Sequence, residues 1–290
     1  MVGRRTVLAA ALGLAAAACA APGPEARPEG RPGPDAPSAA PPTAPSAAPT
    51  PTQSPVRPPV PPTREQVLAR CAGQVPQQWG TDLPGVTATV PGGALALTFD
   101  ACGGPGGDGY DAALIGTLRR LRVPATLFLN ARWVDANPGP AAELAADPLF
   151  ELGNHGTAHR PLSVTGRSAY GITGTADPAA AYEEVAGNRA KLTALLGRAP
   201  GWFRAGTAHY DEVAVALVGQ LGEQVAGFAV NGDGGATFTP AQVARTVAAA
   251  PPGSIVISHF NHPDAGTAEG YAQVLPGLLD AGQRFVRLSG

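Results

Sequence analysis

From residue 94 onward, short apolar runs alternate with longer stretches whose apolar residues recur at helical spacing. The runs at 94–99, 125–129, 150–153, 202–204, 224–230, 254–258 and 285–288 predict about seven strands. Helices are predicted over 111–121, 141–146, 179–196, 211–221, 240–249 and 268–279, the third with Glu183 and Glu184 on its exposed face. Such alternation builds a parallel sheet covered by helices, as an open doubly wound sheet or a closed barrel. Candidate reactive side chains fall at or just after strand ends, which suits a barrel whose mouth carries the site. Residues 167–178, rich in Gly and Thr, read as an inserted loop.

Upstream the pattern changes. Residues 64–93 form a lead-in with a helical start at 64–71 and turn-rich sequence after it. Sixteen of the 32 prolines lie between Pro22 and Pro62, and residues 21–63 lack apolar periodicity. That composition cannot bury a core and is expected to form a disordered, polyproline-like stalk at ~3 Å per residue. Residues 1–20 read as an export signal: Arg4 and Arg5, then an apolar run at 7–18 too short to span a bilayer. The paired arginines leave twin-arginine and general export both open. The run ends in four alanines and Cys19, resembling the lipobox of bacterial lipoproteins, in which the cysteine is lipidated. The expectation is an exported protein, either an outward-facing membrane lipoprotein or a secreted one, touching the membrane only through that anchor. The domain proper is expected at 94–290.

Charge and cysteine usage narrow the function. A formal net charge of −2 supplies no basic field for nucleic acid, and a monomer is expected. The cysteines are Cys19, Cys71 and Cys102. With Cys19 lipidated, an exported domain is left with one pair, so a Cys71–Cys102 disulfide is one option; a free Cys102 working in the site is the other. The glycines at 103–107 lack the spacing of a nucleotide-binding fingerprint, and Pro105 removes an amide that a phosphate cradle needs. No Gly-x-Ser-x-Gly elbow is present, so a serine hydrolase lacks its main signature.

The five histidines, His155, His159, His209, His259 and His262, all sit at predicted strand ends or just beyond. His155 and His159 are four apart, a spacing able to grip one metal ion, for which zinc wants a third protein ligand and an open position. Asp100 ends the first strand as a metal ligand or general base. Arg204 ends another and can hold a carboxylate ionised. His259 follows an apolar β-branched strand and is placed to act as a general acid. Trp133 and Trp202 read as core residues rather than sugar-stacking surfaces.

Taken together, these residues resemble the NodB-type polysaccharide deacetylases of carbohydrate esterase family 4, over residues 94–289. Thr98-Phe99-Asp100 is similar to the start of the family's Thr-Phe-Asp-Asp-Gly motif. His155 to His159 match its His-x-x-x-His, and Phe203-Arg204 to Asp211 sit where its Arg-Pro-Pro-Tyr-Gly segment falls. Asn231 to Asp233 lie at its Asp/Trp segment, and Ile257-Ser258-His259 match Leu-x-His. The resemblance implies a distorted (β/α)7-like barrel and metal-dependent removal of N-acetyl groups from a polysaccharide or cell-wall glycan. It implies Asp100 as base, His155 and His159 as ligands of a divalent metal, zinc being expected, and Arg204 orienting Asp100. The backbone N–H of Thr207 would hold the oxyanion, Asp233 would belong to the catalytic set, and His259 would protonate the leaving amine. One departure bears directly on the metal: the second aspartate of the first motif is Ala101 here. Cys102, Asp100 itself, His209 or His262 are the candidates to replace it. Ala101 also motivates an alternative, a non-catalytic glycan-binding lipoprotein on the same fold.

Overall fold

The computed structural model describes residues 61–290; the expected export signal and all but the end of the stalk lie outside the described residues. In chain order the elements are α1 (Arg64–Cys71), β1 (Val86–Thr87), β2 (Leu95–Ala101), α2 (Ala112–Leu121), β3 (Ala125–Leu129), α3 (Ala131–Ala136), α4 (Pro138–Ala146), β4 (Phe150–Asn154), α5 (Pro178–Leu196), β5 (Trp202–Phe203), α6 (Glu212–Gln220), β6 (Gln224–Ala226), β7 (Val230–Asn231), α7 (Pro240–Ala248), β8 (Ile255–His259), α8 (Thr267–Asp280) and β9 (Phe285–Val286). The strands pair in parallel in the order β1-β6-β5-β4-β3-β2-β8-β7, with β9 also beside β2. The sheet curls with helices on its outer face, giving the distorted (β/α) barrel that the family resemblance implies, one of the two architectures the alternation left open.

Strand β2 shows how the sequence positions the site. All seven of its residues are buried, as in a parallel strand covered on both faces. Side chains alternate between faces: Leu95, Leu97, Phe99 and Ala101 enter the main core, which the sheet shares with α2, α7 and α8. Ala96 instead joins Phe128, Trp202, Ala226 and Ile255 in a small cluster inside the curl. Thr98 and Asp100 continue that inner face toward the carboxyl end of the strand. A second core joins α1, α5 and α6 to β5 and β6, with Val67, Cys71, Val185, Phe203 and Val225 among its members.

Several details differ from the sequence expectations. The run at 224–230 is two strands, not one: β6 lies beside β5, whereas β7 lies at the other end of the sheet beside β8. The break falls at Gly227, whose N–H bonds Thr87 O at 2.8 Å and whose carbonyl accepts from Arg204 at 2.9 Å. Helix α3 has no counterpart among the predicted helices; Asn130 caps it by accepting from the Arg132 N–H. The lead-in is an integral part of the barrel domain, since β1 pairs with β6 and α1 sits in the second core. Glu184 is buried rather than exposed. Its carboxylate accepts N–H bonds from Ala158 and Arg160 at 3.0–3.1 Å, because the chain after His155 folds over the start of an alanine-rich helix with little contrast between its faces. Cys71 and Cys102 are both free thiols, so the optional disulfide is not made: Cys71 is packed in the second core while Cys102 sits at the mouth.

A buried polar network underlies the mouth. Asn154 donates to Val185 O at 3.0 Å and to Glu223 at 3.1 Å, and its Oδ1 accepts from Gly156 N and Asn188 Nδ2. Arg189 Nε lies 3.2 Å from Glu223 Oε1 but is poorly aligned and makes no hydrogen bond. Burial therefore pushes the Glu223 carboxyl up to about 8, with Asn154 and Arg189 opposing it only in part. The sign follows from linkage. The folded state keeps a proton that the unfolded chain releases near 4.5, so this group costs stability as pH rises from about 4.5 to about 8. We expect Glu223→Gln, which keeps an acceptor for Asn154, to remove that decline. Urea unfolding across this pH window tests it: parallel wild-type and Glu223→Gln curves would refute it.

Candidate active site

The carboxyl ends of the parallel strands bring the candidates together. Asp100 is level with His259 on β8 and Phe128 on β3. Arg204 follows β5 and is fully buried. It donates to Asp100 Oδ1 and Thr98 Oγ1 at 2.8 Å each and to Gly227 O, with its guanidinium 4.4 Å from the Phe128 ring centroid. Burial alone would raise the Asp100 carboxyl; the charges of Arg204, His155 and His259 outweigh it and hold the group below the usual carboxylate range. Asp100 is thus ionised, with one oxygen committed to Arg204.

His155 is buried at the end of β4. Its Nδ1 lies 2.8 Å from Arg204 O, and because a carbonyl can only accept, Nδ1 carries the proton. Nε2 faces Asp100 Oδ2 at 3.6 Å and hydrogen-bonds Cys102 Sγ at 3.8 Å. Asn130 fixes the backbone here by donating to both His155 O and Gly156 O. The His159 ring meets that of His155 edge-on at 4.9 Å. Ligand atoms of Cys102, His155 and His159 all lie within 4.8 Å of one another. One thiolate and two imidazoles with an open side suit a tetrahedral zinc-type ion, and an imidazole held through its far nitrogen matches how ligating histidines are oriented. Burial would raise the Cys102 thiol, but the His159 charge and hydrogen bonds from three histidines bring it well below its ordinary value. Of the other candidates to replace Ala101, Asp100 is tied through Oδ1 to Arg204, His209 is bound to Thr207 O at 2.7 Å, His262 contacts Asn261, and none of them joins the three-ligand group.

Across the mouth, His259 is gripped by buried Asp233. The His259 N–H donates to Asp233 Oδ2 at 2.7 Å, and Nδ1 lies 3.1 Å from Oδ1. Thr267 and Gly235 also donate to this carboxylate. Burial opposes protonation of His259, but the hydrogen bond and charge of Asp233 overcome it and set its pKa well above the ordinary imidazole value. An imidazolium held through Nδ1 presents Nε2–H outward as a proton donor.

Asp100, His159, Thr207 and His259 line one cleft of about 370 Å³. Its rim carries unusual backbone: His159, Tyr170, Thr207 and Ala208 have φ of 59°, 51°, 67° and 52°, each costing roughly 1–2 kcal/mol in a non-glycine residue. Strain of this kind collects at functional sites. Gly206 makes room for it, since a Cβ there would come within 2.3 Å of His159 O. The Thr207 Oγ1 is buried without a hydrogen-bond partner.

Asp100, Cys102, His155, His159, Arg204, Thr207, Asp233 and His259 thus gather at one mouth, whereas His209 and His262 make other contacts. Sequence reasoning missed Asn130, Glu184, Asn188 and Glu223. Asn130 had a readable signal, an asparagine directly after a strand; the other three are polar residues whose burial depends on distant segments. Trp133 and Trp202 are core residues as expected; the third tryptophan, Trp79, carries no such signal in the sequence and lies near the rim against His209.

A family model described as polysaccharide deacetylase matches residues 87–226. Among solved structures, the fold is similar to that of BA3943, a CE4 family pseudoenzyme from Bacillus anthracis (20% identity, 69% of this chain and 65% of that one, TM-score 0.58). It is also similar to Bacillus subtilis PdaA, a family 4 carbohydrate esterase (20% identity, 70% and 82%, TM-score 0.56). A third is a family 4 acetyl xylan esterase from Clostridium thermocellum in complex with a cobalt ion (21% identity, 67% and 88%, TM-score 0.55). The chain spans less than two thirds of the length of BA3943. No curated protein matches the sequence.

Two outcomes are expected. Arg204→Met should cost about 3–5 kcal/mol, because it strands a buried carboxylate; equilibrium unfolding measures it, and a loss under about 1 kcal/mol would contradict the account. Asp233→Asn should bring the His259 pKa down toward its ordinary value, read by NMR titration of the imidazole; an unmoved midpoint would show that Asp233 does not hold the proton.

Proposed function

We propose that the described domain is a NodB-type polysaccharide deacetylase of carbohydrate esterase family 4, its first motif altered at Ala101: a metal-dependent hydrolase that removes N-acetyl groups from a cell-wall or related glycan. We further propose that it acts as a monomer outside the cytoplasm, held to the membrane by the lipidated Cys19 or released from it. The carrying observation is the pairing of an ionised carboxylate, Asp100 on Arg204, with an imidazolium, His259 on Asp233, on adjacent strands of one cleft. Two groups pushed to opposite protonation states at one site are what acid–base hydrolysis requires.

Cys102, His155 and His159 would hold a divalent ion, zinc by the softness of the donor set. When bound, such an ion supplies Lewis-acid polarisation of the acetyl carbonyl and acidifies an attacking water. Asp100 takes the proton from that water, and Arg204 keeps it in place to do so. The Thr207 N–H, on its strained turn, stabilises the oxyanion. His259 gives its proton to the departing amine, so acetate and a free amino sugar leave.

The non-catalytic reading rests on Ala101. That residue faces the main core, so a carboxylate there would be buried among apolar side chains. Cys102, one residue on, lies beside the histidines instead, which supports a replaced ligand rather than a lost one.

The test combines metal content, acetate release from N-acetylated oligosaccharides, and cobalt substitution. The wild type should bind one zinc and release acetate; Asp100→Asn should keep the metal and lose at least about 100-fold in rate. The cobalt form should show thiolate-to-metal charge-transfer absorption that Cys102→Ser abolishes. Absence of both metal and acetate sinks the hydrolase, and a cobalt spectrum unchanged in Cys102→Ser sinks the thiolate ligand.

A further inference from the structure

Among the described residues only Val75, Tyr170 and Ile172 are large hydrophobic side chains left exposed, and Tyr170 is 83% exposed. Two of the three, Tyr170 and Ile172, sit at the tip of one hairpin and line the cleft that holds Asp100 and His259. The hairpin is built firmly. At its base Gly166 N bonds Thr175 O and Thr175 N bonds Pro161 O, and buried Thr175 and Ser163 bond each other. At its tip Ala169 and Ile172 exchange both backbone hydrogen bonds, at 3.1 and 2.9 Å.

The tip breaks a local rule. Tyr170 and Gly171 have φ of 51° and 77°, the signature of a two-residue type I′ turn, which strongly prefers Asn-Gly. A tyrosine in the first place strains the backbone and leaves its ring in water, although asparagine would do neither. Its surroundings suggest what it is for. The ring meets His209 edge-on at 5.3 Å; His209 lies 5.8 Å from Trp79; Arg167 covers Trp79 at 5.4 Å. His209 in turn holds the carbonyl of Thr207. A row of aromatic rings in edge-on and tilted contact thus runs from the strained turn of the cleft outward along the rim. A cleft of about 370 Å³ has room for one sugar and its acetamido group, so neighbouring sugars of a polymer must lie on the rim.

We propose that the hairpin 167–174 is a sugar-stacking arm, with Tyr170 packing against the pyranose next to the one being deacetylated. This rests on the hydrolase reading above and deepens it: a side chain of this hairpin recognises the sugar beside the reacting one. The apolar C–H face of a pyranose offers an aromatic ring the same contact as an apolar side chain does, with hydroxyls left in water.

The experiment compares kcat/KM for the full chain on the N-acetylglucosamine monosaccharide and on its β-1,4-linked pentamer, with oligomer binding measured separately by calorimetry. Tyr170→Leu should lower the pentamer-to-monomer ratio by roughly three- to tenfold, chiefly through KM, and Tyr170→Phe should restore it. Tyr170→Asn should lower the ratio while raising the melting temperature by about 2–4 °C, because it relieves the turn. A ratio equal to the wild type in Tyr170→Leu overturns the arm and leaves the hydrolase standing. Pentamer binding that depends on Tyr170 with no acetate released supports the arm and removes the hydrolase.

Discussion

A guanidinium with no access to water is the constraint on which the rest of this barrel depends. Burying Arg204 and Asp100 costs several kcal/mol per ion unless every polar atom finds a partner. The fold supplies those partners from neighbouring strands: Thr98 and Asp100 on β2, the carbonyls of Ala226 and Gly227 at the end of β6, and the Phe128 face on β3. Arg204 also gives its own carbonyl to His155. Through its side chain Arg204 therefore closes the inner core and holds Asp100 ionised, and through its carbonyl it sets which nitrogen His155 turns toward Asp100 and Cys102. The break between β6 and β7 belongs to the same arrangement, because the strand must stop where Gly227 turns its carbonyl inward.

The architecture was legible because a parallel barrel writes its strands as continuous apolar runs, and its chemistry at the ends of those runs. With only five histidines, their grouping at strand ends could be seen without coordinates. Local contrast was what failed elsewhere. The helix carrying Glu183 and Glu184 is mostly alanine at its start, so nothing in its sequence marks which glutamate turns inward. Asn154, Asn188 and Glu223 look like surface residues until β4, α5 and β6 meet. The run 224–230 reads as one strand because its interruption is caused by an arginine some twenty residues earlier. Tyr170 lies inside a segment that reads as an insertion, but its exposure and its left-handed backbone are properties of the folded turn.

Alternation along β2 decides how the altered first motif can work. Ala101 packs in the main core; Cys102 comes into the mouth past the end of the strand. The sulfur there stays a free thiol because its would-be partner, Cys71, is enclosed in the other core.

Asp100 and His259 are register partners on hydrogen-bonded strands. Their spacing is therefore metered by the sheet itself, about 4.8 Å between adjacent chains, and not by the loops that surround them. A ruler made of backbone hydrogen bonds cannot be reset by changing side chains. Changes on the rim therefore leave the backbone separation of Asp100 and His259 where the sheet sets it.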